Sequence, residues 1–279
     1  MKTRRAFTLI ELLVVISIIA LLLAILLPGL RLVKEHAKLV VCSTRLNQIG
    51  KATILYSDMS NGLLPDDHLV DTATNKILTD KRWLHAYAVY RRDPSNNNGY
   101  EYSNGKLKPF RFAYYYELDL ITKPEIFYCP GNKNTLFKYE SYSSPEPWSY
   151  LPQDWNEKDE NGKKHNQWVR VGYTYYPTEE HPELNSEYAP KTPPTKFVKL
   201  NQNIPYTTDV IHGLDNLSHQ YGGKYKVDAL FKDGSVTTCS DQDVFNDDRY
   251  TSPVKPWENF ENDGNYDTTY YWVFKRIGL

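Results

Sequence analysis

The hydrophobic and polar positions divide the chain into two unlike parts. From Phe7 to Leu27 the residues run FTLIELLVVISIIALLLAILL, with one charge, Glu11. As a helix rising about 1.5 Å per residue, this run spans about 30 Å of hydrocarbon. A secretory signal core is shorter, about 7–15 residues, and ends in a small-x-small site. Here Pro28-Gly29-Leu30-Arg31 follows instead. Beyond Pro28 the pattern turns amphipathic. Leu32, Val33, His36, Val40, Cys42, Leu46, Ile49, Ala52 and Tyr56 form an imperfect helical stripe, and the charges lie mostly off it. The pattern predicts a helix from Phe7 to Asp58, about 75–80 Å long. Pro28 removes one backbone donor and should kink it. Ser60-Asn61-Gly62 ends it, with Gly62 suited to a left-handed position after the cap.

The rest is polar, punctuated by proline and short of long apolar runs, which reads as strand and loop. Trp83 to Tyr90 reads as a short helix, and Phe110 to Tyr116 as an aromatic strand. Trp168 to Tyr176 alternates like a strand. Tyr206 to Val210, Lys226 to Phe231 and Ser235 to Cys239 are further strand candidates. The last two flank Lys232-Asp233-Gly234, a hairpin signal, because Asp-Gly accepts positive φ at little cost. Thr268 to Phe274 reads as a final aromatic strand. The polar, Pro-rich runs 143–167 and 179–195 read as loops. The fold class expected is α+β: one long N-terminal helix, transmembrane in its first half and amphipathic in its second, packed on an antiparallel sheet with long loops.

Charge and composition narrow the function. Lys and Arg number 33 against 34 acids, a net charge of -1, so the basic excess of a nucleic-acid binder is missing. The three cysteines, Cys42, Cys129 and Cys239, contain no Cys-x-x-Cys pair, which argues against a zinc ribbon or thioredoxin motif. Lys2, Arg4 and Arg5 before the apolar run place the N-terminus in the cytoplasm and the C-terminal bulk across the membrane. Glu11 is the anomaly. A carboxylate near the centre of a span costs about 2.5–3.5 kcal/mol and normally has a partner and a task.

Arg5-Ala6-Phe7-Thr8-Leu9-Ile10-Glu11 resembles the prepilin peptidase recognition motif of type IV pilins and type II secretion pseudopilins. The resemblance implies cleavage between Ala6 and Phe7, N-methylation of Phe7, and retention of Glu11. The family usually has Gly where this chain has Ala6. It also implies four segments: a cleaved leader 1–6, a transmembrane and filament-core helix 7–30, its amphipathic continuation 31–62, and an extracytoplasmic head 63–279. The partners implied are prepilin peptidase, other pilin or pseudopilin subunits and the inner membrane. A methylated amine stays cationic. In a filament of parallel helices, Glu11 of one subunit can meet the Phe7 amine of another and so set their register. Loss of the leader leaves 30 basic residues against 34 acids, about -4 net.

A second resemblance reaches further down the chain. Cys42 with Leu46-Asn47-Gln48-Ile49-Gly50, then Cys129-Pro130, then His219 with Asp233-Gly234, is similar to a pilin-like family of planctomycete- and lentisphaera-type bacteria. That family is named for His, nine residues and Asp-Gly; here thirteen residues separate His219 from Asp233. The resemblance implies a Cys42–Cys129 disulfide in an oxidising compartment, pinning helix to head. Three buried free thiols are the alternative.

Other candidate chemistry is weighed against plainer readings. His219 and Asp233 suggest a catalytic or metal pair, but no nucleophile motif accompanies them, so a turn-stabilising histidine is preferred. His212 gives no useful metal spacing with His219. Glu261, Asp263, Asn265 and Asp267 alternate oxygen donors around Gly264, a candidate calcium loop without the twelfth-position Glu of an EF-hand. Asp154, Asn156, Asp159 and Asn161 form a weaker one. The 23 Tyr, 6 Trp and 10 Phe residues invite a polysaccharide-binding reading. Aromatic strands explain them at least as well. The expectation is a non-enzymatic, single-pass inner-membrane protein, a structural subunit of a type II secretion pseudopilus or type IV pilus-like filament. The alternative is an anchored surface protein that binds polysaccharide without polymerising.

The leader generates the first prediction. Mass spectrometry of the mature N-terminus should find methylated Phe7. A chain beginning at Met1, or cut beyond Pro28, would contradict it.

Overall fold

The computed structural model describes residues 8–65, 70–71, 76–77, 88–91, 109, 111–142, 168–177, 196–211, 213–246 and 273–278. The first element, α1 (Leu9–Met59), runs through 51 residues without a break at Pro28. At about 1.5 Å per residue it is ~77 Å long. Its start is a capping box: the Glu11 amide donates to Thr8 Oγ1 (3.2 Å) and the Thr8 amide donates to Glu11 Oε2 (2.8 Å). Its end is Ser60, after which Asn61 and Gly62 take positive φ (55° and 80°), as expected at 60–62. The Gly62 amide donates to the Ser57 carbonyl at 2.7 Å.

The two halves of α1 meet different surroundings. Large apolar residues from Leu9 to Val33 are exposed. Burial begins at Cys42 and continues through Leu46, Ile49, Gly50, Ala52, Thr53 and Ser57. These positions recur every three or four residues, so they form one stripe on the helix. Leu32, Val33 and Val40, expected on that stripe, are exposed. Leu32 borders a cleft with His219 to Tyr221 of the head without being covered by it, and Val40 faces away from the head.

Against this stripe lies an open antiparallel sheet. Its strands are β5 (Tyr173–Tyr175), β6 (Thr207–Asp209), β7 (His219–Tyr221), β8 (Lys224–Leu230) and β9 (Val236–Cys239). The order is β5-β6-β8-β7, and β9 pairs along the other edge of β8. Two small two-stranded sheets lie outside it: β1 (Val70–Asp71) with β2 (Lys76–Ile77), and β3 (Ala88–Arg91) with β4 (Trp168–Arg170). The β8–β9 hairpin turns at Lys232-Asp233-Gly234. Gly234 has φ +82°, and the Asp233 carboxylate accepts the Ser235 amide at 2.9 Å.

The register around β8 creates the most informative feature of the sheet. Thr207 and Thr208 of β6 pair with Leu230 and Ala229, whereas His219 to Tyr221 of β7 pair with Lys226 to Lys224. Thus β6 and β7 share one edge of β8, end to end, and leave a seam beside Val227 and Asp228. There the Asp228 amide donates to the Asp209 side chain (Oδ2, 2.8 Å) instead of to a strand carbonyl.

Several expectations change. Phe110 to Tyr116 is not a strand: α2 (Ala113–Glu117) occupies it, and Phe112 and Tyr115 pack into the core. Phe112 and Tyr115, three residues apart, share one face of a helical turn, whereas a strand would turn them to opposite faces. Ala88 to Tyr90, expected to be helical, belongs to β3. Trp168 to Tyr176 is two strands in two sheets, broken at Val171-Gly172. Residues 273–277 are helical, so Val273 and Phe274 do not extend a strand. The runs 143–167 and 179–195 lie outside the described residues, as does the rest of 268–274.

Gly172 breaks the strand because backbone must pass there. A Cβ on it would lie 2.5 Å from the Cys129 amide nitrogen. Its amide donates to the Phe127 carbonyl (2.8 Å) and its carbonyl accepts the Val210 amide (3.1 Å). Gly172 thereby straps the Cys129 segment to the end of β6.

Two predictions follow from this packing. Leu46→Ala should cost about 2–5 kcal/mol of stability, whereas exposed Val40→Ala should change it by less than about 0.5 kcal/mol. Denaturant unfolding of the detergent-solubilised chain measures both, and equal costs would contradict the buried stripe. Gly172→Ala should cost about 1–3 kcal/mol by displacing the Tyr128–Cys129 backbone. An unchanged thermal midpoint would show that the contact is not tight.

Candidate functional site

Two places carry candidate chemistry. The first is the start of α1. Glu11 both caps the helix and stands among exposed apolar side chains. Its Oε2 also accepts the Thr8 hydroxyl at 2.8 Å. The Thr8 cap means that a chain beginning at Phe7 starts its helix almost at once, with its amine one residue before the capping residue. Ala6 and Phe7 lie outside the described residues. The helix from Leu9 is the one described element long and apolar enough to cross a membrane, and no residue of its most apolar window is buried. A single such helix near the chain start is consistent with a single-pass inner-membrane anchor.

The second place is the seam between β6 and β7. Cys42 of α1, Cys129 from the turn after residues 124–127, Asp209 at the end of β6 and His219 at the start of β7 meet there. One ligand atom from each lies within 4.8 Å of all the others. Cys129 Sγ is 3.2 Å from His219 Nε2, and Cys42 Sγ is 2.6 Å from Asp209 Oδ1. Asp209 Oδ2 is 3.6 Å from the same His219 Nε2. All four residues are at most 5% exposed.

Local structure holds each group. Cys42 sits on the buried stripe, one turn before Leu46. The Cys129 segment is strapped by Gly172 and by Arg45 of α1, whose guanidinium donates to the Tyr128 carbonyl. The Gly131 amide donates to Cys129 Sγ at 3.4 Å. Gly131 also covers the imidazole: a Cβ there would lie 2.7 Å from His219 Cε1. The Asp209 carboxylate is held by the Asp228 amide, and Tyr173 OH lies 3.4 Å from Cys42 Sγ.

Burial dominates the electrostatics. It pushes both thiols up from their usual range, and it pushes the Asp209 carboxyl up, with Asp228 adding to the effect. Burial also lowers His219 to about 4. His219 is therefore neutral at pH 7, and its contact with Asp209 is not an ion pair. Among the described residues, no lysine or arginine pairs with Asp209.

The sequence expectations meet this geometry unevenly. Cys42 and Cys129 are brought together, but as free thiols rather than as the expected disulfide. Cys239 is apart from them on β9. His219 does not stabilise the hairpin turn; it faces the cysteines, while Asp233 serves the turn with Ser235. Asp209 was not anticipated, although a carboxylate inside the strand-like run Thr-Thr-Asp-Val-Ile is unusual enough to mark it. Glu261, Asp263, Asn265 and Asp267 lie outside the described residues, as do Asp154, Asn156, Asp159, Asn161 and His212.

Residues 1–27 match the family model described as the prokaryotic N-terminal methylation motif. No curated protein and no solved structure matches the chain. The matched motif implies processing by a prepilin peptidase, and together with the long apolar helix it is consistent with a pilin- or pseudopilin-like subunit in general.

Proposed function

We propose that the protein is a structural, non-enzymatic subunit of a type II secretion pseudopilus or type IV pilus-like filament. In this reading it is first inserted in the inner membrane with its head on the far side, then assembled through α1. The observation that carries the reading is the methylation motif set directly on a helix half whose large apolar side chains are exposed. Such a surface must be covered by lipid or by other apolar helices. The same surface serves both states, so moving a subunit from bilayer to filament core exchanges one apolar environment for another.

Glu11 gives the exchange its register. In the single chain its carboxylate caps its own helix. In the filament it also faces the methylated Phe7 amine of a neighbouring subunit. A helix displaced along its neighbour would leave a cation and a carboxylate buried apart, and breaking a buried pair costs about 3–5 kcal/mol.

The surface-binding alternative gains little from the described aromatics. Tyr115, Tyr173, Tyr175, Tyr176, Tyr206 and Phe112 are all buried, so they are core rather than a sugar-stacking face.

The test compares two substitutions in the native host by membrane fractionation and crosslinking of neighbouring subunits. Thr8→Ala removes the capping hydroxyl but keeps the carboxylate, and should both insert and assemble. Glu11→Ala should insert as well as the unaltered chain yet lose its crosslinked oligomers. Normal assembly of Glu11→Ala would remove the register role and favour the anchored surface protein.

A further inference from the structure

We infer that Cys42, Cys129, Asp209 and His219 are the four protein ligands of one zinc-type divalent ion that fastens α1 to the head. This goes beyond the filament reading and does not depend on it.

Three chemistries can use two cysteines, a histidine and an aspartate, and the geometry separates them. A nucleophilic relay needs the thiol on one imidazole nitrogen and the carboxylate on the other. Here Cys129 Sγ and Asp209 Oδ2 both approach Nε2, at 3.2 and 3.6 Å. Nδ1 has no hydrogen-bond partner among the described residues. Among the described residues no carboxylate hydrogen-bonds Nδ1 to orient the ring from behind, so the relay fails. A disulfide would use the two sulfurs alone. It gives no reason for the Asp209 and His219 side chains to converge on the sulfurs.

Ligation accounts for all four. Zinc–sulfur bonds of about 2.3 Å and zinc–nitrogen or zinc–oxygen bonds of about 2.0–2.2 Å put tetrahedral ligand atoms roughly 3.3–3.8 Å from one another. The 3.2 Å separation of Cys129 Sγ and His219 Nε2 is close to that spacing. The 2.6 Å contact of Cys42 Sγ with Asp209 Oδ1 is tighter. An ion between those two would part them by about 1 Å. Two sulfurs, one imidazole and one carboxylate suit a borderline-soft ion of the zinc type rather than calcium or magnesium.

The surroundings are also those of a ligand sphere. The Gly131 amide points at Cys129 Sγ, and the Asp228 amide holds Asp209 Oδ2 so that Oδ1 turns to the centre. With four protein ligands and almost no exposure, the site is closed, which marks a structural rather than a catalytic ion. The site lies just behind the surface: Cys129 lines a cleft of about 700 Å³, and His219 lines a second of about 200 Å³ beside Leu32 and Glu35. On binding, the two thiols release their protons to water and ligate as thiolates. The four ligands come from a helix, a turn and two strands, so one ion ties four segments.

The full chain, extracted in detergent from its native host without chelator, tests the inference. Elemental analysis should find about one zinc per chain. Cobalt added after zinc removal should give the tetrahedral visible spectrum with a sulfur-to-cobalt charge-transfer band. Cys42→Ser, Cys129→Ser and Asp209→Asn should each lose most of the metal, while Cys239→Ser keeps it. Removing zinc from the unaltered chain should lower its thermal midpoint, and adding zinc should restore it. The cobalt spectrum reads the unaltered protein, so it stands even if a variant fails to fold. The inference is overturned if the reduced chain takes up neither ion, if Cys42→Ser and Cys129→Ser bind as much as the unaltered chain, or if the extracted chain carries a Cys42–Cys129 disulfide.

Discussion

The burial of one stripe of α1 against the sheet governs the architecture. Cys42, Leu46, Ile49, Gly50, Ala52, Thr53 and Ser57 give the helix a single inward side over its last five turns. Gly50 lets Leu230 of β8 come so close that a Cβ would lie 2.9 Å from its Cδ1. Asn47 reaches the Gly234 carbonyl in the hairpin turn (3.1 Å), and Thr53 meets the Tyr115 hydroxyl of α2 (2.8 Å). Helix, hairpin and aromatic core are thus positioned from one rod. In the other half of the rod the large apolar side chains from Leu9 to Val33 are exposed, and that surface is what remains for lipid or for other helices.

That division explains why the polar residues of the two halves behave so differently. Glu11 finds its hydrogen bonds locally, at the helix start, where an acceptor for free amides is most useful. Asp209 cannot do so. It sits at the end of β6 where the ladder along β8 is interrupted, and its carboxylate substitutes for a missing backbone carbonyl. A buried carboxylate in that role is costly without a cation. The convergence of two sulfurs and an imidazole on it is the feature of the head that packing alone does not require.

The seam between β6 and β7 is a topological product. Because both strands pair with the same edge of the seven-residue β8, neither can be extended past Asp209 or His219 without meeting the other. The gap falls directly under the Cys42 turn of α1, and the Cys129 segment is held beside it by Gly172. A site assembled at a ladder interruption inherits rigidity from the strands on both sides, which is what a tightly held ligand set needs.

Much of this protein was legible in its sequence because the relevant signals are local. The apolar run after a basic leader, the Thr8-to-Glu11 spacing, the amphipathic stretch ending at Ser60-Asn61-Gly62 and the Asp233-Gly234 hairpin each depend on neighbours within a few residues. The antiparallel sheet with long loops follows from the same kind of signal. The sequence was less decisive where aromatic residues are dense: Phe110, Phe112, Tyr114 and Tyr116 alternate like a strand, and only the packing of Phe112 against Phe127 and Tyr175, with Tyr115 buried beside it, selected a helical turn. It could bring Cys42, Cys129 and His219 into view, but not Asp209, nor the seam where all four meet. Those residues lie 87, 80 and 10 positions apart along the chain. Their meeting is set by strand register and by the rotation of α1 on the sheet, which are long-range properties that no local spacing encodes.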